Sequence, residues 1–343
     1  MKKTRNLLFV SLFIIGLLAF SSTASAWGPH THTWLTEQLF ERGNSEIIRE
    51  VNQTEICRDA FLAGSMLPDI TVAYYFSGGG AKYRATHNWN FQEQLMSQAK
   101  TPDERALAYG VASHLVADSV SHTMCIPERI KAYKMPNWLI HPLTEKKYDS
   151  LLALDNPGLK DRSKHMLDAI LPSIDKHGKA DRYIEMVEKA LGPNSDFDIE
   201  TNIELLGHAL DSFYKEGGKR PDGGGLFALY PAIDAMTDWV YPLSTGSMDY
   251  VDYYVQKSLQ ENENVFNNWG GRTALSPHGF DELSEADSQA VGVFHIVFFT
   301  YIALMFALPL FFFWWRRNWL FLFLLPIMFF ILILVMLIIY IIV

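Results

Sequence analysis

Only two cysteines, Cys57 and Cys125, stand in the 343 residues, and no Cys-x-x-Cys pair occurs. Thiolate zinc sites of the finger or ribbon kind are thereby excluded, so any metal would rest on imidazole and carboxylate. In an oxidising compartment a single disulfide between the two is open to the chain. Basic charge is also scarce: 29 Lys and Arg against 38 Asp and Glu leave a net charge of −9. A surface of that sign does not hold nucleic acid by charge, and no stable nucleic-acid partner is expected. No internal repeat of fixed period is visible, and strand signals are few.

What the sequence does have begins at its two ends. Met1-Lys-Lys-Thr-Arg5, an apolar run from Leu7 to Phe20 and the ending Ala24-Ser-Ala26 describe a secretory signal peptide over residues 1–26. Cleavage behind Ala26 would leave Trp27 as the new terminus. At the other end, residues 290–315 and 319–343 are apolar runs of 26 and 25 residues, each long enough to cross a hydrocarbon core of about 30 Å. Arg316 and Arg317 between them mark a cytoplasmic loop, and Trp314, Trp315 and Trp319 suit the interface. The expected organisation is a leader (1–26), an extracytoplasmic domain (27–287) and two transmembrane helices (288–343). Both ends place that domain outside the cell membrane.

Between the ends, apolar periodicity predicts helix after helix, over residues 33–50, 55–66, 142–154, 161–174, 182–191, 198–214, 227–239 and 248–261. Residues 70–83 read as a loop, 217–225 as a flexible connector and 267–288 as a polar linker. The central helix opens at Thr101-Pro102-Asp103-Glu104, with proline and acids in its first turn. His114, Asp118 and His122 follow at i, i+4 and i+8 among small and apolar residues, which keeps three potential ligands on one stripe. The fold class is therefore all-α.

Further candidates lie on both sides: Trp27-Gly-Pro-His30-Thr-His32, Leu67-Pro-Asp69, His87 before Trp89, and His141 with Glu145 at i, i+4. Singly, each has a structural use, since a lone histidine is more often a hydrogen-bonded core residue than a ligand. Together, Trp27, His32, Asp69, His87, His114-x-x-x-Asp118, His122 and His141-x-x-x-Glu145 resemble the zinc-dependent phospholipase C family and its relatives, the fungal single-strand nucleases. The resemblance runs from Trp27 to about Asp155. It implies an all-helical metallohydrolase domain holding three zinc ions. One ion would rest on Asp69, His87, His114 and Asp118, and a second on His122, His141 and Glu145. Trp27, through its free amine and carbonyl, His32 and the bridging Asp118 would hold the third. Better-known members space the next histidine six residues beyond the aspartate, whereas His122 follows Asp118 by four and Met124 stands at the sixth place. His30 rivals His32, and His208 rivals His141.

The chemistry is intelligible from the residues. Cations held by imidazole and carboxylate polarise phosphoryl oxygen and offset charge on attacking and leaving oxygens, which is what an anionic phosphodiester needs. Asp69 could act as ligand and general base. The favoured function is a membrane-anchored phosphodiester hydrolase of phospholipase C type acting on phospholipid. A nuclease would use aromatic platforms such as Tyr74, Tyr75, Phe76 and Trp89. A metal-stabilised surface domain without catalysis is the third reading.

Overall fold

The computed structural model of the protein describes residues 27–71, 85–133, 137–171, 175–192, 201–202 and 249–269. Among them every regular element is helical, in line with the all-α expectation. In chain order these are α1 (Pro29–Arg42), α2 (Glu46–Asn52), α3 (Glu55–Met66), α4 (Trp89–Gln98), α5 (Pro102–Val120), α6 (Ile126–Tyr133), α7 (Asn137–Asp155), α8 (Leu159–His165), α9 (Ala180–Leu191) and α10 (Asp249–Asn267). Short 3₁₀ turns follow α3 at Leu67–Thr71 and α8 at Asp168–Ile170. A π turn, Ser121–Cys125, joins α5 to α6.

Local chemistry explains where the expected boundaries moved. The single helix expected over 33–50 is two, because Gly43 takes an extended conformation and Ser45 starts a new helix by accepting from the Ile48 amide at 3.1 Å. Thr54 starts α3 in the same way, accepting from the Cys57 amide at 3.3 Å. Helix α4 was hidden by its polar run Asn90, Gln92, Glu93, Gln94; it buries Phe91, Gln92 and Leu95 and begins at Asn88, which accepts from the Phe91 amide at 2.9 Å. The segment expected over 161–174 resolves into α8 and a 3₁₀ turn. Helix α10 runs to Asn267, beyond the boundary expected at 261. Nearly all of 198–214, and the whole of 217–225 and 227–239, lie outside the described residues. So do the leader and the hairpin expected for 288–343. Among the described residues no helix is long and apolar enough to cross a membrane.

Helix α5 is the axis of the packing. It is buried along almost its whole length, from Asp103 to Val120 with Arg105 excepted. Its small residues allow neighbours on every side, which a single apolar stripe would not. Against α3 the approach is backbone to backbone: a Cβ on Gly110 would overlap the Phe61 carbonyl oxygen, and one on Gly64 would overlap that of Leu107. Helices α4 and α10 pack on α5 as well. Fully buried Phe61, Leu95, Leu107 and Leu115 close the core, each contributing about 1.5–3 kcal/mol by leaving water. Cys57 and Cys125 are both buried free thiols, and the disulfide left open by the sequence is not formed. Burial pushes the Cys125 thiol up to about 12, so it is inert as a nucleophile.

Candidate metal centre

Four segments far apart in sequence deliver side chains to the buried middle of α5. His32 comes from α1, Asp69 from the turn after α3, His87 from the residues before α4, and His114 and Asp118 from α5 itself. All five are buried. His114 Nε2 lies 3.1 Å from Asp118 Oδ2 and 3.9 Å from Asp69 Oδ1. His87 Nε2 is 3.4 Å from Asp69 Oδ1 and 3.8 Å from Asp118 Oδ2, and His32 Nε2 is 3.3 Å from Asp118 Oδ1. The His32 ring stacks on that of His114 at a centroid distance of 4.0 Å.

Backbone and hydroxyl groups aim these rings. The close α3–α5 crossing brings the Ser65 carbonyl to 2.8 Å from His114 Nδ1. A carbonyl only accepts, so Nδ1 carries the proton and Nε2 points at the carboxylates. Thr86 does the same for His87 by a relay. Its hydroxyl donates to the Pro68 carbonyl at 2.9 Å, leaving its oxygen to accept from His87 Nδ1 at 3.2 Å. The same relay ties the segment bearing His87 to the turn bearing Asp69. Neither Ser65 nor Thr86 was singled out from the sequence, since a backbone carbonyl leaves no signature and a threonine before a histidine is commonplace.

The electrostatics suit a cation. Burial opposes charge on His114, yet Asp118 and Asp69 beside it raise its pKa to about 9. Burial likewise opposes charge on Asp118, and the His114 and His32 imidazoles outweigh it, holding that carboxyl well below its usual range. His32 Nε2, His114 Nε2 and both Asp118 oxygens are buried in these close contacts without a hydrogen bond of proper geometry. Such atoms are costly unless a positive ion meets them. Two triads, His32 with Asp69 and His114, and His87 with His114 and Asp118, hold their ligand atoms within 4.8 Å of one another. These imidazole–carboxylate groups are able to bind a metal ion, and their donors are the kind zinc takes.

A second group forms beside the first. The His122 and His141 rings meet edge-on at 5.0 Å, and His141 Nε2 lies 2.6 Å from Glu145 Oε1. Burial pushes the Glu145 carboxyl well above its usual range, with Asp69, Asp118 and Asp149 adding to the effect. His122 is carried by the π turn, not by a continuation of α5. The cause is competition for helical carbonyls: that of Ala117 receives the Ser121 amide and also the Trp27 indole N–H, at 3.0 Å, while Ser119 and Thr123 hydroxyls donate to carbonyls four residues back. Competition of that kind for the helical ladder widens a turn.

Trp27 is fully buried, its indole N–H shared between Ala117 and the Ser258 hydroxyl of α10. His30, the rival of His32, points elsewhere and bonds Ser163 Oγ at 2.9 Å through Nδ1. His208 lies outside the described residues.

Helices around a buried imidazole–carboxylate cluster define a helical domain able to bind metal. Comparison with known families narrows the class: residues 25–190 match the family described as zinc dependent phospholipase C. The resemblance read from the motifs is thus shown over this stretch. Comparisons with curated proteins and with solved structures gave no match.

Proposed function

We propose that the protein is a membrane-anchored, zinc-dependent phosphodiester hydrolase of phospholipase C type, with its helical domain outside the cell membrane. The observation that carries this reading is the convergence of His32, Asp69, His87, His114 and Asp118 within a stretch that matches a zinc-dependent family. Asp69, His87, His114 and Asp118 would hold one zinc, and His122, His141 and Glu145 a second. His32, Asp118 and the amine and carbonyl of Trp27 would hold a third. When bound, zinc supplies Lewis acidity to phosphoryl oxygen and positive charge against the developing oxyanions.

The remaining work falls to the chain. Ser65 and Thr86 hold the imidazoles in the tautomer whose Nε2 faces the cluster. Asp118 offers one oxygen toward His32 and the other toward His114, which suits a bridging role. Asp69, with one oxygen toward His87, would accept a proton as general base. The apolar runs at 290–315 and 319–343 support anchoring beside lipid, and externally added protease should reach the helical domain in intact cells while leaving the Arg316-Arg317 loop uncut.

A substrate panel tests the activity: phosphatidylcholine vesicles, a chromogenic phosphodiester and single-stranded DNA. Release of a phosphorylated head group from the vesicles, blocked by chelator and restored by zinc, is the expected result. Cleavage of DNA alone would move the protein to the nuclease branch, and inertness toward all three would leave a metal-stabilised domain.

A further inference from the structure

Helix α7 carries a third acidic or imidazole residue on the stripe that begins with His141 and Glu145, namely Asp149 at the next i+4 position. Its side chain is fully buried. The carboxylate accepts the His30 amide at 3.0 Å through Oδ2, and the Thr31 amide at 2.9 Å and hydroxyl at 2.6 Å through Oδ1. It also lies so close against Gly28 that a Cβ there would overlap it. Gly28 is thus needed for space, and Asp149 closes the first turn of α1 from across the domain.

The segment 27–32 is fixed at three points. Trp27 is pinned by its indole to Ala117, the residue before Asp118. His32 meets Asp118 by its ring. Between them the backbone amides of His30 and Thr31 are held by the Asp149 carboxylate. We propose that Asp149 is a positioning residue for the N-terminal metal ligands, locking the turn that presents Trp27 and His32 to the same aspartate. The proposal rests on the metal reading above and deepens it. Through this clamp the helix bearing His141 and Glu145 also sets the geometry of the N-terminal ligands, coupling neighbouring metal positions through one helix.

The test uses the full chain processed to Trp27 and purified in detergent, with zinc counted per chain and cobalt(II) titrated as a spectroscopic substitute. Asp149→Asn removes one acceptor, and Gly28→Ala displaces the carboxylate from the opposite side. Each variant should weaken one metal equivalent by about 10–100-fold, the range found when a residue that orients a ligand is lost, and leave the other equivalents and their absorption bands in place. A chain retaining Ala26 should lose the same equivalent, and Asp149→Asn added to it should cost nothing more. Full metal content in both variants overturns the proposal, as does a parallel weakening of every site or additivity with the Ala26 extension, which mark a general structural role. If the processed wild-type chain binds no zinc, or binds as much with Ala26 retained, the reading beneath the proposal fails and the proposal falls with it.

Discussion

Asp118 is the residue on which most of the site turns. It touches His32 with one oxygen and His114 with the other, and sits one position beyond the carbonyl that holds Trp27. Replacing it by asparagine keeps the shape and removes the charge, so hydrolysis should fall by more than about 100-fold, beyond the loss typical of a residue that only orients a ligand. Steady-state assay of Asp118→Asn on the vesicle substrate checks this. A remote carboxylate gives a separate test of stability. Burial would raise the pKa of Glu104, but the Arg182 guanidinium at 3.0 Å and the Lys100 amide hold it below its ordinary value of 4.5. A depressed folded pKa stabilises above the unfolded value and is lost as pH falls through the folded one. Glu104→Gln should therefore cost about 1–2 kcal/mol at pH 7, and the gap from wild type should narrow below about pH 4. Denaturant titration at both pH values measures it. At this scale His114 and Asp118 were legible from their i, i+4 spacing and Asp69 and His87 from the family resemblance, and the fold brings the four together. Ser65 and Asp149 were not, since one acts through its carbonyl and the other reads as an ordinary helix acid.

Among the elements, the α3–α5 crossing is the one the site depends on most. The two glycines let the backbones meet, and the meeting sets the Ser65 carbonyl against His114. Gly110→Ala must separate the helices or strain them, and a cost of about 1–3 kcal/mol is expected from overpacking. Metal affinity should fall with it, because His114 loses the acceptor that fixes its tautomer. Thermal melting and zinc titration of Gly110→Ala test both halves, and an unchanged affinity would sever the crossing from the site. The existence of α3 and α5 could be read from apolar periodicity and from the Pro-Asp-Glu start at 102–104. The π turn could not. It arises where Trp27, 90 residues away, takes a share of a helical carbonyl, and no local window contains that competition. Spacing alone put His122 on the α5 stripe, whereas the widened turn carries it beside His141.

For the whole molecule, metal would replace what the core does not supply, since segments from Trp27 to Glu145 converge on buried charged groups and not only on apolar contacts. The family resemblance and the helical class were both legible in the sequence, the first from the motif residues between Trp27 and Glu145 and the second from apolar periodicity. The clamp from α7 to α1 and the pinning of Trp27 by α10 were hidden, as both are contacts between elements whose order in space the sequence does not state. If the cluster is the organising feature, chelation should lower the melting temperature and abolish hydrolysis together, with zinc restoring both. The most direct measurement is the zinc content of the full chain processed to Trp27, taken before and after chelation alongside its melting temperature. Two or three zinc ions per chain, with a lower melting temperature once they are removed, is the predicted result; about one or none, or a melting temperature indifferent to chelation, would contradict it.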